Sequence, residues 1–79
     1  MSLLNVFIEV EHLKEVKDAE KIKQGLLNLN GVYRVAVDVP NSVVKIAYFN
    51  SLNLNIIKFK LNSLGYPESS SAVASNHSS

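Results

Sequence analysis

Three side chains that can bind a metal ion stand close together after the first apolar segment of the chain. His12 precedes Glu15 and Asp18, and the three-residue spacing of the two carboxylates places them on one face of a helix. An imidazole and two carboxylates could ligate a harder or borderline divalent ion such as Zn(II), Ni(II) or Mn(II). The commoner interpretation is that Glu15 and Asp18 are helix-start acids favoured by the helix dipole, with His12 on an exposed loop.

No other set of residues in the chain is typical of catalysis. The 79 residues include no Cys, no glycine-rich phosphate loop and no Ser-His-Asp set in a recognisable context. The absence of Cys excludes both disulfides and thiolate metal sites. We therefore predict that the chain is not an enzyme.

Charge and hydropathy argue against two further kinds of partner. Eight basic residues are interleaved with seven acidic ones, and the formal net charge is +1, so no nucleic-acid partner is expected. The segment VVKIAYF lacks the spacing of an RNP1 motif, and Phe7, Tyr48 and Phe49 are predicted to be packing residues. No apolar run approaches the roughly 18–20 residues of a membrane span, and no signal peptide is visible. We expect no membrane insertion and a cytoplasmic location.

The elements that must position these side chains follow from the periodicity of the apolar residues. Alternation between Leu4 and Val10 predicts a strand, and a helical stripe that begins at Val16 follows it. A hairpin, a second helix and a short fourth strand complete the pattern. The predicted ranges are 15–28 and 54–64 for the helices, 32–39 and 43–49 for the hairpin strands, and 66–68 for the last strand.

The order of these elements predicts one α+β domain. Strand, helix, strand, strand, helix, strand is the split βαβ order, and right-handed crossovers place both helices on one face of a four-stranded antiparallel sheet. We expect a ferredoxin-like βαββαβ sandwich over residues 3–68 and a disordered Ser-rich tail over residues 69–79. The other face of the sheet is expected to be solvated or to serve as an interaction surface.

Two segments of the chain resemble the heavy-metal-associated family. IKQGLLNLNGVYRVAVDV ends at Val39, and LNSLGY ends at Tyr66; the family has a Leu-x-x-Leu-x-Gly-Val phrase at the end of its first helix and a Gly-Tyr after its second. The resemblance implies the ferredoxin-like fold and a metallochaperone-like role in metal transport, free-standing or as the cytosolic domain of a metal-transporting ATPase. It also implies that Tyr66 borders the metal loop, as the Tyr of bacterial members does.

The Met-x-Cys-x-x-Cys metal motif of the family is absent from the matching positions. Leu13 stands at the Met position, Glu15 at the first Cys position and Asp18 at the second. Leu13 can keep the packing role of the Met. Cu(I) is a soft ion that prefers sulfur, so the family's soft-metal transfer does not carry over to this chain.

We therefore predict a heavy-metal-associated binding module that has lost its thiolate site and acts in protein–protein interaction or metal trafficking. A protein partner or a second copy is expected to meet a surface at Leu13, Lys14, Lys17 and Tyr66, and a metal-transporting ATPase is one such partner. The alternative is a divalent-metal site at His12, Glu15 and Asp18, which the charges of Lys14 and Lys17 oppose.

Overall fold

The computed structural model describes residues 2–69 of the chain. Two helices and three strands follow one another in the order βαββα, so the predicted α+β class is confirmed. The elements are β1 (Leu3–Glu9), α1 (Val16–Leu27), β2 (Val32–Asp38), β3 (Val43–Phe49) and α2 (Leu54–Ser63).

The three strands form one antiparallel sheet in the order β1-β3-β2. Ile46 of the central strand lies between Val6 of β1 and Val35 of β2. Because successive side chains point to opposite faces of a strand, this register gathers the alternating apolar residues of all three strands on one side. We call that side the inner face, and the opposite side the outer face.

The fourth strand predicted at residues 66–68 is a single bridge between Val10 and Glu68. Two hydrogen bonds flank it: the Glu11 N–H donates to the Pro67 carbonyl at 2.9 Å, and the Ser69 N–H donates to the Glu9 carbonyl at 2.7 Å. Pro67 has no N–H to donate, so the pairing cannot extend toward α2. Within residues 2–69 the sheet therefore has three strands, and the predicted tail lies, apart from Ser69, outside the described residues.

Both helices cover the inner face. Leu26 of α1 and Ile57 and Leu61 of α2 are completely buried in one cluster with the strand residues. The helices approach each other closely at Gly25, where an added Cβ would stand 2.5 Å from Cδ1 of Leu64. The buried core consists of Ile8, Val10, Leu13, Ile22, Leu26, Val35, Val44, Ile46, Tyr48, Ile57, Leu61 and Tyr66.

Two residues that were predicted to pack are exposed instead. Phe7 lies opposite Lys45 on the outer face and is 69% exposed. Val16 is 72% exposed because it is the first residue of α1 and precedes the first turn that reaches the core. Tyr48, from the same prediction, is buried on the inner face.

The different burial of two adjacent leucines in α1 provides a test of this packing. Leu26 has no exposed surface and Leu27 is 48% exposed, so Leu26→Ala should lower the free energy of unfolding by about 3 kcal/mol. Leu27→Ala is the matched control and should lower it by less than about 1 kcal/mol. Urea denaturation followed by circular dichroism measures both values, and equal losses would contradict the assigned face of α1.

Candidate functional site

The loop between β1 and α1 (residues 10–15, the β1–α1 loop) is anchored at two buried side chains, Val10 and Leu13, each 3% exposed. The Val10 N–H donates to the Ser42 carbonyl at 2.9 Å, and the Ser42 hydroxyl donates to the Leu13 carbonyl at 3.4 Å. The chain turns between the anchors at His12, whose φ is +71°. The packing role predicted for Leu13 is therefore confirmed.

The Asp18 carboxylate joins this loop to the segment that follows α2. Its Oδ2 accepts hydrogen bonds from the backbone N–H of Lys14 at 3.1 Å and of Glu15 at 3.0 Å. Its Oδ1 accepts a hydrogen bond from the Tyr66 hydroxyl at 2.6 Å. Both oxygens are thus engaged within the chain, and one side chain joins the loop, the start of α1 and the segment that follows α2.

These hydrogen bonds shift the pKa values of both partners apart. The Tyr66 hydroxyl, with smaller contributions from the Lys14 and Glu15 amides and the positive charge of Lys21, lowers the pKa of Asp18 below its ordinary 3.8. Burial, then the hydrogen bond to Asp18 and its negative charge, raises the pKa of Tyr66 to about 12. The pair is therefore an ionised carboxylate and a neutral phenol over the whole physiological range.

The structure does not gather His12, Glu15 and Asp18 into a ligand set. His12 is exposed, and its Nε2 lies 4.0 Å from a carboxylate oxygen of Glu11. Asp18 meets Glu15 through the backbone N–H of Glu15. Among residues 2–69 there is no group of three or more His, Asp or Glu side chains that could hold a metal ion. The hydrogen bonds support the commoner interpretation of Asp18 as a helix-start acid.

Two members of the predicted partner surface are buried. Lys14 and Lys17 are exposed, but Leu13 and Tyr66 are 3% and 4% exposed and have no area to offer a partner. Both belong to the core and support the surface from beneath. Val16 stands between the two lysines and is 72% exposed. The sequence prediction placed Val16 in the helical stripe because Val16 is apolar. Only its position as the first residue of α1 indicated that it lies outside the core.

The donor set at the loop does not suit a soft metal ion. The chain contains no Cys, and its one Met is Met1. Glu15 and Asp18, which the sequence resemblance predicts to stand at the two Cys positions of the motif, are carboxylates. Carboxylate oxygens favour hard ions and not Cu(I).

The fold of the chain is shared with several solved structures. The CopZ metallochaperone superposes with a TM-score of 0.81 at 21% identity, over 84% of this chain and 100% of that protein. Oxidized MerP from Ralstonia metallidurans CH34 gives 0.80 at 16% identity, over 86% and 96%. The chain has the fold of a metallochaperone. A copper binding domain from HMA7, a P-type ATPase, also shares it, with a TM-score of 0.78 at 15% identity, over 82% and 89%.

These similarities lie in the backbone. No family model matches the chain, and no curated protein matches it. At 15–21% identity the likeness shows the fold alone, which agrees with the ferredoxin-like architecture expected from the sequence resemblance. In the described part of the chain, residues 2–69, neither helix has the length and apolar character needed to cross a lipid bilayer.

The Asp18–Tyr66 hydrogen bond should be visible in the pH dependence of stability. Because the folded-state pKa of Asp18 is lowered, its contribution is complete above the unfolded pKa of about 3.9 and is lost as the pH falls through the lowered value. Because the pKa of Tyr66 is raised to about 12, its contribution is complete below about pH 10 and is lost as the pH rises toward 12.

Tyr66→Phe should therefore raise the pKa of Asp18 toward its ordinary value and weaken the loss of stability on acidification. Carbon-13 NMR titration of the Asp18 carboxyl measures the first effect, and urea denaturation between pH 2 and pH 6 measures the second. Tyr33→Phe is the control, because Tyr33 is 53% exposed. An Asp18 titration that is identical in the native chain and in Tyr66→Phe would contradict the hydrogen bond.

Proposed function

We propose that this chain is a non-catalytic protein-binding module with the metallochaperone fold, acting in metal trafficking without carrying a thiolate-bound ion itself. The observation that supports this is the Asp18 carboxylate, which bonds to Tyr66 and to the loop amides of Lys14 and Glu15. It stands at the position where the family motif has its second Cys. The proposal includes the cytoplasmic location expected from the sequence.

The loop keeps its shape through hydrogen bonds that the chain supplies itself. The buried side chains of Leu13 and Tyr66 fix the two sides of the loop, and Asp18 joins them with charge-assisted hydrogen bonds, which are stronger than neutral ones. A surface built on this loop is therefore available in the absence of any bound ion. That preorganisation lowers the ordering cost of binding a partner.

The surface proposed for the partner consists of His12, Lys14, Val16 and Lys17, which we call the loop surface. All four residues are exposed, and Val16, which lies between the two lysines in the sequence, supplies an apolar side chain. This arrangement is complementary to an apolar patch with a carboxylate rim. The charges would mainly govern the rate and the specificity of association, and the buried apolar contact would supply affinity.

The partner that fits this proposal best is another domain of the metal-transport machinery, such as the copper binding domain of a P-type ATPase. The structural likeness to such a domain of HMA7 supports this choice. A second copy of the chain is the other expected partner. The divalent-metal alternative at His12, Glu15 and Asp18 is less well supported, because both Asp18 oxygens are engaged and the described residues 2–69 contain no ligand cluster.

Metal titration separates the two proposals. Isothermal titration of the native chain with Zn(II), Ni(II), Mn(II) and Cu(I) should show no binding tighter than about 0.1 mM, which is roughly 5–6 kcal/mol. The double variant E15C/D18C, kept reduced, should bind Cu(I), because it restores thiolates at the matching positions. Tight binding of Zn(II), Ni(II) or Mn(II) by the native chain, lost in Glu15→Ala, would instead support the metal alternative.

Partner binding can be measured by NMR with a defined probe. Adding the copper binding domain of a P-type ATPase to the nitrogen-15-labelled chain should shift the amide signals of residues 12–17. Val16→Asp and Lys17→Glu should each weaken binding about tenfold, because each removes a contact of the loop surface. Lys23→Glu makes the same charge change at another exposed position of α1 and should have little effect.

Two outcomes would contradict the proposal. One is the absence of shifts at millimolar concentration together with a monomer in analytical ultracentrifugation. The other is an equal loss of binding in Lys17→Glu and Lys23→Glu, which would show that net charge and not the loop surface drives association.

A further inference from the structure

The outer face of the sheet carries large exposed aromatic side chains on the side opposite the helices. Phe7 of β1 is 69% exposed, and Tyr33 of β2 is 53% exposed. The Tyr33 ring contacts the Phe49 ring edge-on, with the centroids 6.0 Å apart and the planes at 75°. Rings thus stand at two separate places on this face: Phe7 on β1, and the Tyr33–Phe49 pair on β2 and the central strand β3.

Each of these places also holds a positive charge. The Nζ of Lys45 lies 5.5 Å from the centroid of the Phe7 ring, and the guanidinium carbon of Arg34 lies 5.6 Å from the centroid of the Tyr33 ring. Neither cation forms an ion pair with a carboxylate within residues 2–69. Both charges are therefore available to an anion.

A shallow depression lies between the two cations. Its volume is about 90 Å³, and its lining includes Phe7, Arg34 and Lys45. Ala36 and Ala47 also line it, and their short side chains leave the middle of the face low. An anionic group or the edge of a planar ring can enter this space between the charges.

The near-neutral net charge predicted no nucleic-acid partner, but the structure places Arg34 and Lys45 beside exposed rings on one face. We propose that the outer face binds single-stranded nucleic acid. One base would stack on Phe7 and another would contact the Tyr33–Phe49 pair, while backbone phosphates lie at Arg34 and Lys45. Aromatic side chains are sequence-tolerant stacking platforms for unpaired bases, and Arg and Lys neutralise the phosphates between them. This surface is distinct from the loop surface, and the proposal does not depend on the protein-binding function.

The size of the face favours a short single strand over a folded protein. Three strands of seven residues cover roughly 24 Å by 14 Å, or about 340 Å². A standard protein interface buries about 800 Å² on each partner. A duplex fits poorly as well, because its bases are stacked inside and cannot lie on the rings.

One end of the outer face is acidic and limits where phosphates can lie. Glu9 and Asp38 are both paired with Val43, from its two sides. Their carboxylates repel phosphates, so the strand is confined to the part of the face that holds Arg34 and Lys45. The interaction therefore involves about two phosphates, which predicts weak binding with a modest salt dependence.

Fluorescence anisotropy with labelled RNA and DNA single strands of about eight nucleotides tests the proposal. With two phosphates neutralised, the logarithm of the association constant should fall against the logarithm of salt with a slope of about −1.4, and Lys45→Ala should halve that slope. Phe7→Ala should weaken binding about tenfold and leave the slope unchanged, because it removes stacking and no charge.

Matched controls stand on the helical side of the domain. Lys23→Ala removes the same charge from an exposed position of α1, and Phe59→Ala removes a ring of α2 that is 73% exposed; neither should change the affinity. Circular dichroism confirms that each variant is folded. Lack of binding at about 1 mM, equal effects of the control variants, equal affinity for a duplex, or equal competition by a glutamate-rich peptide would each overturn the proposal.

Discussion

The candidate site depends on the hydrogen bonds that the Asp18 carboxylate accepts. The carboxylate joins the start of α1, the β1–α1 loop and Tyr66 through three hydrogen bonds. These segments are far apart in the sequence, since Tyr66 is 48 residues from Asp18. A carboxylate can do this because it accepts several hydrogen bonds at once and remains ionised at neutral pH.

The small core of the domain also positions the loop. Leu13 and Tyr66 are core residues and, together with Val10, also support the loop. Each contributes burial to the domain and fixes one side of the site, so stability and site geometry are coupled. In a chain without disulfides and with 79 residues, such shared use of core residues limits how far the loop can move without unfolding the domain.

The domain presents two chemically different surfaces on different parts of the fold. The loop surface combines Lys14 and Lys17 with an exposed Val16, on a backbone fixed by charge-assisted hydrogen bonds. The outer face combines cations with aromatic rings over a floor of alanines. Under both proposals, a chain with the metallochaperone fold but no thiolates takes part in recognition through apolar contact and charge instead of metal ligation.

Periodicity and order, which are local properties of the sequence, determined the α+β class and the two helices on one face, and the composition determined the absence of thiolate ligands. The register and the burial of particular residues were decided only by the tertiary structure. The alternation of residues within β1 alone cannot show that Phe7 is exposed beside Lys45, because the alternation does not identify the strand that pairs with β1. Likewise, the sequence identified Asp18 as a helix-start acid but not as the partner of Tyr66. That hydrogen bond forms only when the tertiary fold brings the segment after α2 next to the β1–α1 loop.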